Sequence, residues 1–152
     1  MPEISELEFA LTVANNGFQR WVVRCMAAAG YGDLSQLEVL ILHVVFHRSK
    51  TKRMADICLM LNLEDVHTVS YALKKLEKAG LVRSFKQGKE KMVEVTPRGA
   101  KACKEYRQIR ERCLIGSLEA LNLDTAEVSK LAGLLRTLSG IYDQASRSAT
   151  SL

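Results

Sequence analysis

The amino-acid sequence predicts a mainly α-helical protein with one small β-hairpin. Apolar residues recur in steps of three and four along most of the chain, which is typical of helices. The exception is a pair of short strand-like runs, residues 81–86 and 91–96, separated by a Gln-Gly-Lys-Glu turn. The 152 residues, of which 47% are hydrophobic, suit a single domain, 1–152, with a sizeable core.

The first predicted helix spans about residues 5–29 and carries a long apolar stripe. Ser5 and Glu8 have the spacing of a capping box, which places the start of the helix at Ser5. The stripe repeats like a coiled-coil seam and includes Leu7, Leu11, Phe18 and Trp21. Such a seam favours a dimer interface; the alternative is a helix packed on its own domain.

The second predicted helix opens with another capping box, Ser35 and Glu38. His43 and His47 lie four residues apart on it and could in principle bind a metal together. No further ligand stands at a suitable spacing, so an ordinary pair on the helix surface is favoured and no metal site is predicted.

A basic loop, residues 48–53, leads to the third predicted helix, with Thr51 as its expected cap. Met54, Ile57, Cys58 and Leu61 form the inner stripe of that helix. In a helix-turn-helix, this element lies near the DNA backbone. The loop cations are therefore candidate phosphate contacts: Lys50, Lys52 and Arg53.

The fourth predicted helix, about residues 64–79, has strongly different faces. Its apolar stripe comprises Val66, Val69, Leu73 and Leu76, while the opposite face carries His67, Tyr71, Lys74 and Lys78. Glu64 and Asp65 are expected in its first turn, where the helix dipole favours acids. Gly80 suits the left-handed position that follows a helix end.

The hairpin, residues 81–96, is followed by two further helices. Thr96 and Pro97 predict the start of a helix that runs to about Leu121 and ends at Asn122, with Ala102, Tyr106, Ile109 and Cys113 as its inner stripe. Asp124 and Glu127 then open the last helix, whose stripe includes Leu131, Leu135 and Leu138. The Ser-rich tail after Ala145 is expected to fray. Residues 4–29 and 100–146 are thus predicted dimerisation helices.

The net charge of +5 is unevenly distributed. Residues 1–47 carry two basic and five acidic groups, a net charge of −3. Residues 48–112 carry seventeen basic and eight acidic groups, a net charge of +9. Residues 113–152 carry three basic and four acidic groups, a net charge of −1. A basic segment is the footprint expected of phosphate binding, although a solvated basic face would look the same.

A helix followed by a basic hairpin is the pattern of a winged helix-turn-helix. Residues 68–82, T-V-S-Y-A-L-K-K-L-E-K-A-G-L-V, with the hairpin and V-T-P-R-G at 95–99, resemble the DNA-binding core of the multiple-antibiotic-resistance regulator (MarR) family. The resemblance is clearest over residues 35–100, and the predicted DNA-binding core is 35–99. It implies a homodimeric transcriptional regulator that places this helix in the major groove of duplex DNA and the hairpin near the minor groove. It also implies an effector site of unnamed ligand class between the dimer helices and the winged core.

Two features depart from that family. Its hairpin commonly carries Asp-x-Arg, whereas this turn has Lys89 and Lys91, and lysine is a poorer reader of a narrow groove. The turn before Thr68 is also one residue longer, which leaves the helix start and the role of His67 open. The remaining predicted DNA contacts come from the helix and the hairpin: His67, Thr68, Ser70, Tyr71, Lys74, Lys75, Lys86, Lys89 and Lys91.

Other classes of protein are less well supported. A winged helix can serve as a protein–protein adaptor without DNA binding. No enzyme motif is visible, and no cofactor is predicted. The four cysteines form no C-x-x-C pair and are predicted to be buried packing residues. Some members of the family that the chain resembles sense oxidants through a cysteine near the first helix, and Cys25, near Trp21 and Tyr31, is the one candidate for that role here. Neither a membrane span nor a signal peptide is evident, so a cytoplasmic protein is expected.

Overall fold

The computed structural model describes residues 1–152, apart from the side chain of Ser49. The chain forms two compact units, Met1–Arg110 and Glu111–Leu152. The first unit contains α1 (Pro2–Ala28), α2 (Gln36–Phe46), a 3₁₀ turn (His47–Ser49), β1 (Lys52–Arg53), α3 (Met54–Met60), α4 (Val66–Lys78), β2 (Val82–Gln87), β3 (Glu90–Val95) and α5 (Pro97–Arg110). The second contains a π-helical turn (Glu111–Ile115), α6 (Gly116–Ala120) and α7 (Thr125–Thr150).

The core of the first unit lies among α2, α4, α5, the sheet and the C-terminal part of α1. Its largest fully buried side chains come from α1, α2, α3, α4, β2 and the residue just before β2: Val22, Met26, Val39, Ile41, Leu42, Val45, Ile57, Val69, Leu73, Leu76, Leu81 and Val82. The mainly helical fold with a small hairpin is therefore confirmed. Burying this apolar surface is the main term that stabilises the unit.

The sheet has three antiparallel strands in the order β1-β3-β2, rather than the two strands predicted. β1 pairs Lys52 with Val93 and Arg53 with Met92. The prediction that Thr51 caps α3 is wrong, because α3 begins at Met54 with Arg53 in the capping position and no side-chain cap. Pairing with β3 holds the chain extended up to the first residue of the helix.

The start of α1 differs from the prediction. The helix begins at Pro2, three residues before Ser5, so the capping box at Ser5 and Glu8 is wrong. Proline at the first helical position loses no hydrogen bond there and has a backbone angle suited to a helix. The N-terminal half of α1 is exposed, and burial begins near Trp21 and Val22.

Other predicted helix ends are confirmed. Both the Ser35–Glu38 and the Asp124–Glu127 capping boxes are formed. The Thr96 hydroxyl accepts a hydrogen bond from the Gly99 amide at 3.0 Å and so caps α5. Gly80 follows Ala79, the C-terminal capping residue of α4, and has a φ of +76°, a conformation that glycine adopts at low cost.

The predicted long helix from Arg98 to Leu121 is not one α-helix. α5 ends at Arg110, and the π-helical turn Glu111–Ile115 follows. Cys113 is exposed in that turn, so its place on an inner stripe is wrong. Asn122 has a φ of +57°, in line with a helix ending there. The expected fraying after Ala145 is also wrong, since α7 continues to Thr150.

Most of the predicted dimerisation stripe is uncovered. Leu7, Phe18 and Leu131 expose 39%, 49% and 54% of their surface. Leu135 is also exposed, while Leu11 and Leu138 are half-buried. Trp21 packs against the core of the first unit. No helix among the described residues is both long and apolar enough to cross a bilayer.

Candidate nucleic-acid interface

The exposed face of α4 carries the polar side chains that the sequence predicted for DNA. His67, Thr68, Tyr71, Lys74 and Lys78 are exposed, and Ser70 is half-buried. Tyr71 leaves 79% of its surface free. The Lys74 ammonium lies 5.9 Å from the centre of the Tyr71 ring, so a cation and an aromatic hydroxyl share one patch. Lys78 was not among the predicted contacts, although its spacing of four from Lys74 indicated it.

The buried face of α4 fixes the helix on the core. Val69, Leu73 and Leu76 are fully buried, as the stripe predicted. Val66, the fourth member, is 41% exposed, so that part of the prediction is wrong. Val66 is the first residue of the helix and is not among the residues that pack against the core.

Glu64 and Asp65 both lie before the first residue of α4. Asp65 is the capping residue, not a member of the first turn, and its carboxylate accepts a hydrogen bond from the His67 amide at 2.8 Å. That hydrogen bond lowers the pKa of Asp65. Glu64 precedes the cap, so it also lies outside the helix. His67 is thereby an exposed residue of the first turn.

The Lys75 ammonium makes contacts within the chain and is not available to a ligand. Its ammonium donates to the Asp33 carbonyl at 2.7 Å and lies 3.3 Å from the Glu38 carboxylate. Glu38 exposes only 8% of its surface and also accepts from the Ser35 amide at 2.8 Å. Lys75 therefore ties α4 to the turn before α2.

The hairpin, β2 and β3 with their turn, is the wing of this fold. Gly88 begins its two-residue turn with a φ of +65°, a conformation that favours glycine. Lys86 and Lys91 are directly opposite each other in the strand register, and Lys89 is in the turn. Among the described residues none of these three lysines has an acidic partner within 4.0 Å. Like charges placed opposite each other destabilise a hairpin unless an anion lies between them.

The arginines next to the wing differ from its lysines because acids neutralise them. Arg53 donates two hydrogen bonds to Asp56, at 2.7 and 2.8 Å, and a third to Glu90 at 3.3 Å. The Asp56 carboxylate holds the pKa of Arg53 above its ordinary value. Arg83 pairs with Glu94 across the hairpin. The Arg53 contacts join the first residue of β3 to α3.

The loop before α3 contains one tethered and one free lysine. Lys52 donates to the carbonyls of His47 and Lys50, at 2.7 and 2.9 Å. Burial, followed by repulsion from Lys50 and Arg48, lowers the pKa of Lys52. Lys50 is exposed. The predicted cations thus fall into two groups, those held by the protein (Lys52, Arg53 and Lys75) and those available to a ligand (Lys50, Lys74, Lys86, Lys89 and Lys91).

The two histidines do not form the predicted pair on a helix surface. His43 is half-buried, with Nδ1 3.4 Å from the Cys103 sulfur and its ring 4.4 Å from that of Tyr106. His47 is exposed and lies beyond the end of α2, in the 3₁₀ turn. Within the described part of the chain, no cluster of three or more His, Cys, Asp or Glu side chains could hold a metal.

Comparison with known proteins agrees with this geometry. Residues 34–99 match a family model described as a winged helix DNA-binding domain. No curated protein matches the chain. Similar solved structures include a cysteine-to-serine mutant of MarR from E. coli complexed with operator DNA: 20% identity, TM-score 0.71, covering 90% of this chain and 95% of that one.

AbfR of Staphylococcus epidermidis has a similar fold, with 17% identity, a TM-score of 0.75, and coverage of 95% of this chain and 94% of that one. Reduced AbfR bound to DNA gives 17% identity, a TM-score of 0.72, and coverage of 93% and 96%. At these identities the likeness establishes the fold. The chain therefore folds as these MarR-type proteins do, with a winged helix domain at 34–99.

Proposed function

We propose that this chain, which shares the fold of MarR and contains a winged helix domain, is a homodimeric, sequence-specific regulator of transcription that binds duplex DNA. α4 enters the major groove and the wing lies beside the minor groove. The structures with this fold include complexes with DNA: the MarR mutant with operator DNA, and reduced AbfR with DNA. The proposal takes the same mode of binding for this chain.

The observation that carries the proposal is the separation of paired and unpaired cations. Arg53 and Arg83 have acidic partners, yet Lys86 and Lys91 are opposite each other without one. A hairpin that needed only to fold would gain by pairing these lysines as well. Phosphate groups of a DNA backbone would supply the missing negative charge.

The side chains of α4, the wing and the loop before α3 have two roles. Tyr71, Ser70, Thr68 and His67, on the first two turns of α4, contact base edges or the adjacent backbone. The available lysines, Lys50, Lys74, Lys86, Lys89 and Lys91, contact phosphates. The tethered cations hold the interface in place: Lys75 fixes α4, while Lys52 and Arg53 fix the loop and the wing.

Dimerisation follows from the uncovered apolar stripes of α1 and α7. Leu7, Phe18, Leu131 and Leu135 lose the benefit of burial in an isolated chain, and a second copy could cover them. A two-fold dimer presents two copies of α4, which matches a pseudo-palindromic site with half-sites about one helical turn, ~10 bp, apart.

Salt-dependent titration of duplex DNA tests this function. Five available lysines in each of two protomers give ten phosphate contacts, and at about 0.9 per contact the log–log slope against salt approaches −9. We expect a steep slope on any duplex. A protein–protein adaptor would show no measurable affinity for duplex DNA at low salt, and that result would exclude the proposal.

A further inference from the structure

α4 lacks the side chains that identify a base by two hydrogen bonds at once. Arginine identifies guanine in this way, and asparagine or glutamine identifies adenine. None of these three residue types occurs between Val66 and Lys78. The one acid in that range, Glu77, accepts a hydrogen bond from the Ser84 amide at 2.9 Å, so its carboxylate is engaged within the chain rather than free to accept from cytosine.

The exposed lysines Lys74 and Lys78 lie beyond the part of α4 that faces the bases. In a helix-turn-helix, the N-terminal residues of the recognition helix contact the base edges. In α4 these are the first two turns, where His67, Thr68 and Tyr71 are exposed. Lys74 and Lys78 follow in the third and fourth turns, so the identity of the bases must be read by the side chains before them.

Hydrogen bonds from His67 and Ser70 distinguish bases poorly. A neutral imidazole such as that of His67 donates a single hydrogen bond, and N7 of either purine can accept it. Ser70 is half-buried, and a serine hydroxyl can bond to more than one kind of base. These two residues therefore add affinity without selecting one base.

The hydroxyl of Thr68 is engaged within the chain, which leaves its methyl group for a ligand. The Thr68 side chain hydrogen-bonds to the Asp65 carboxylate, beside the bond from the His67 amide. A carboxylate only accepts, so the hydroxyl proton of Thr68 is donated to it. Because Thr68 is exposed, its γ-methyl group is the part of the side chain available for an apolar contact.

Tyr71 adds an aromatic ring on the same face of α4, one turn after Thr68. The Lys74 ammonium lies 5.9 Å from the centre of that ring, and the attraction between them favours this position of the ring. Three residues span ~4.5 Å along a helix axis. Stacked bases are about 3.4 Å apart along a strand, so Thr68 and Tyr71 would meet bases one or two steps apart.

We propose that α4 identifies its half-site mainly through the 5-methyl groups of thymine, with the Thr68 methyl group and the Tyr71 ring as the contacting groups. Selection of thymine in this way rests on the proposed DNA-binding function. Thymine is the one base that presents a methyl group in the major groove, and threonine methyl groups and aromatic rings contact it. Each half-site should therefore contain two thymines, on either strand, one or two steps apart.

Selection of duplexes from a random pool by the full chain, followed by replacement of single bases, tests the proposal. Deoxyuridine pairs as thymine does and lacks only the methyl group. At each contacted thymine this replacement should lower affinity about fourfold, the effect of one buried methyl group. Replacement of guanine by 7-deazaguanine, which removes the N7 acceptor, should have little effect.

The possible results separate this proposal from the proposed function. An enriched duplex that tolerates deoxyuridine at every position would overturn thymine readout while leaving sequence-specific binding intact. An enriched duplex that loses more affinity with 7-deazaguanine than with deoxyuridine would do the same, because it would show that guanine is read. A pool in which no duplex is enriched would refute sequence-specific binding itself, and thymine readout with it.

Matched substitutions at Thr68 separate its methyl group from its hydroxyl. Thr68→Ser keeps the hydroxyl and its bond to Asp65 but removes the methyl group, whereas Thr68→Val keeps a methyl group and removes the hydroxyl. Sensitivity to deoxyuridine should disappear at one thymine of each half-site in Thr68→Ser and persist in Thr68→Val. A Thr68→Ser protein with wild-type sensitivity at every thymine would show that Thr68 is not the contact.

Tyr71 offers a similar pair of variants. Tyr71→Phe keeps the ring and should remain sensitive to deoxyuridine at the second thymine, whereas Tyr71→Ala should lose that sensitivity. Tyr71 is exposed, so neither change removes a core contact. Wild-type sensitivity at every thymine in Tyr71→Ala would overturn the assignment of the ring. Loss of sensitivity in Tyr71→Phe would overturn it as well, because the contact would then depend on the hydroxyl.

Discussion

Lys86 and Lys91 face each other across the wing, and replacing both with alanine tests whether the wing lies on DNA. The two side chains have no acidic partner among the described residues, so each is free to neutralise a phosphate. In a dimer the double change removes four lysines. At about 0.9 per phosphate contact, the slope of log K against log salt should become less steep by about 3.6.

The size of this change can be stated as an affinity ratio. From 50 to 200 mM salt the logarithm of the salt concentration rises by about 0.6. Over that range the affinity of the wild type should therefore fall by a factor about 10² larger than the affinity of the variant. Fluorescence anisotropy of a labelled duplex at several salt concentrations measures both slopes. The effect should be the same on specific and random duplexes, because phosphates carry no sequence.

Arg83→Ala is the matched control for the lysine pair. Arg83 is on the same strand as Lys86, and its replacement by alanine also removes one cation. In the wild type, however, Glu94 already neutralises the Arg83 charge. Its replacement should leave the salt slope nearly unchanged. Two results would refute the inference that the unpaired lysines of the wing contact phosphates. One is a double lysine variant that keeps the wild-type slope, and the other is an Arg83→Ala variant whose slope falls as much per cation removed.

Four further predictions concern other parts of the molecule. Tyr71→Ala should reduce discrimination between the preferred duplex and random duplex by roughly 1–3 kcal/mol with little change in salt slope, as titrations on both will show. Leu11→Asp should abolish the dimer or folding, because it would bury a charge without a partner. Light scattering of the wild-type protein at micromolar concentration should give a dimer, and a monomer would contradict this prediction. Cys25→Ser should not alter the response of DNA binding to peroxide; a complex that peroxide dissociates only in the wild type would contradict that. As pH falls from 6.5 towards 4, unfolded chains protonate His43 before folded ones do, so denaturant titrations should show wild-type stability falling more than that of His43→Gln.

The periodic spacing of apolar residues predicted α4 well. The spacing of Val69, Leu73 and Leu76 fixed the buried face of α4, and this left Tyr71 and Lys74 on the outside. Helix caps at Ser35, Thr96 and Asp124 were also predictable, because capping depends on residues within three positions of each other. These features are local, and local chemistry determines them.

Contacts between distant parts of the chain were not predictable in this way. The Lys75 ammonium reaches Asp33, 42 residues away, so its tethering could not be inferred from the pattern of α4. β1 is only two residues long and exists through its pairing with β3. The contact between His43 and Cys103 joins residues 60 positions apart. Each depends on packing of the folded core rather than on periodicity.

Selection of bound duplexes from a random pool is the most direct test of sequence-specific binding by a dimer. We predict enrichment of a pseudo-palindrome whose half-sites are about one helical turn, ~10 bp, apart. Tyr71→Ala protein should enrich the same half-sites less strongly. A pool that remains random after repeated selection with wild-type protein, at a salt concentration where duplex binding is measurable, would contradict sequence-specific binding.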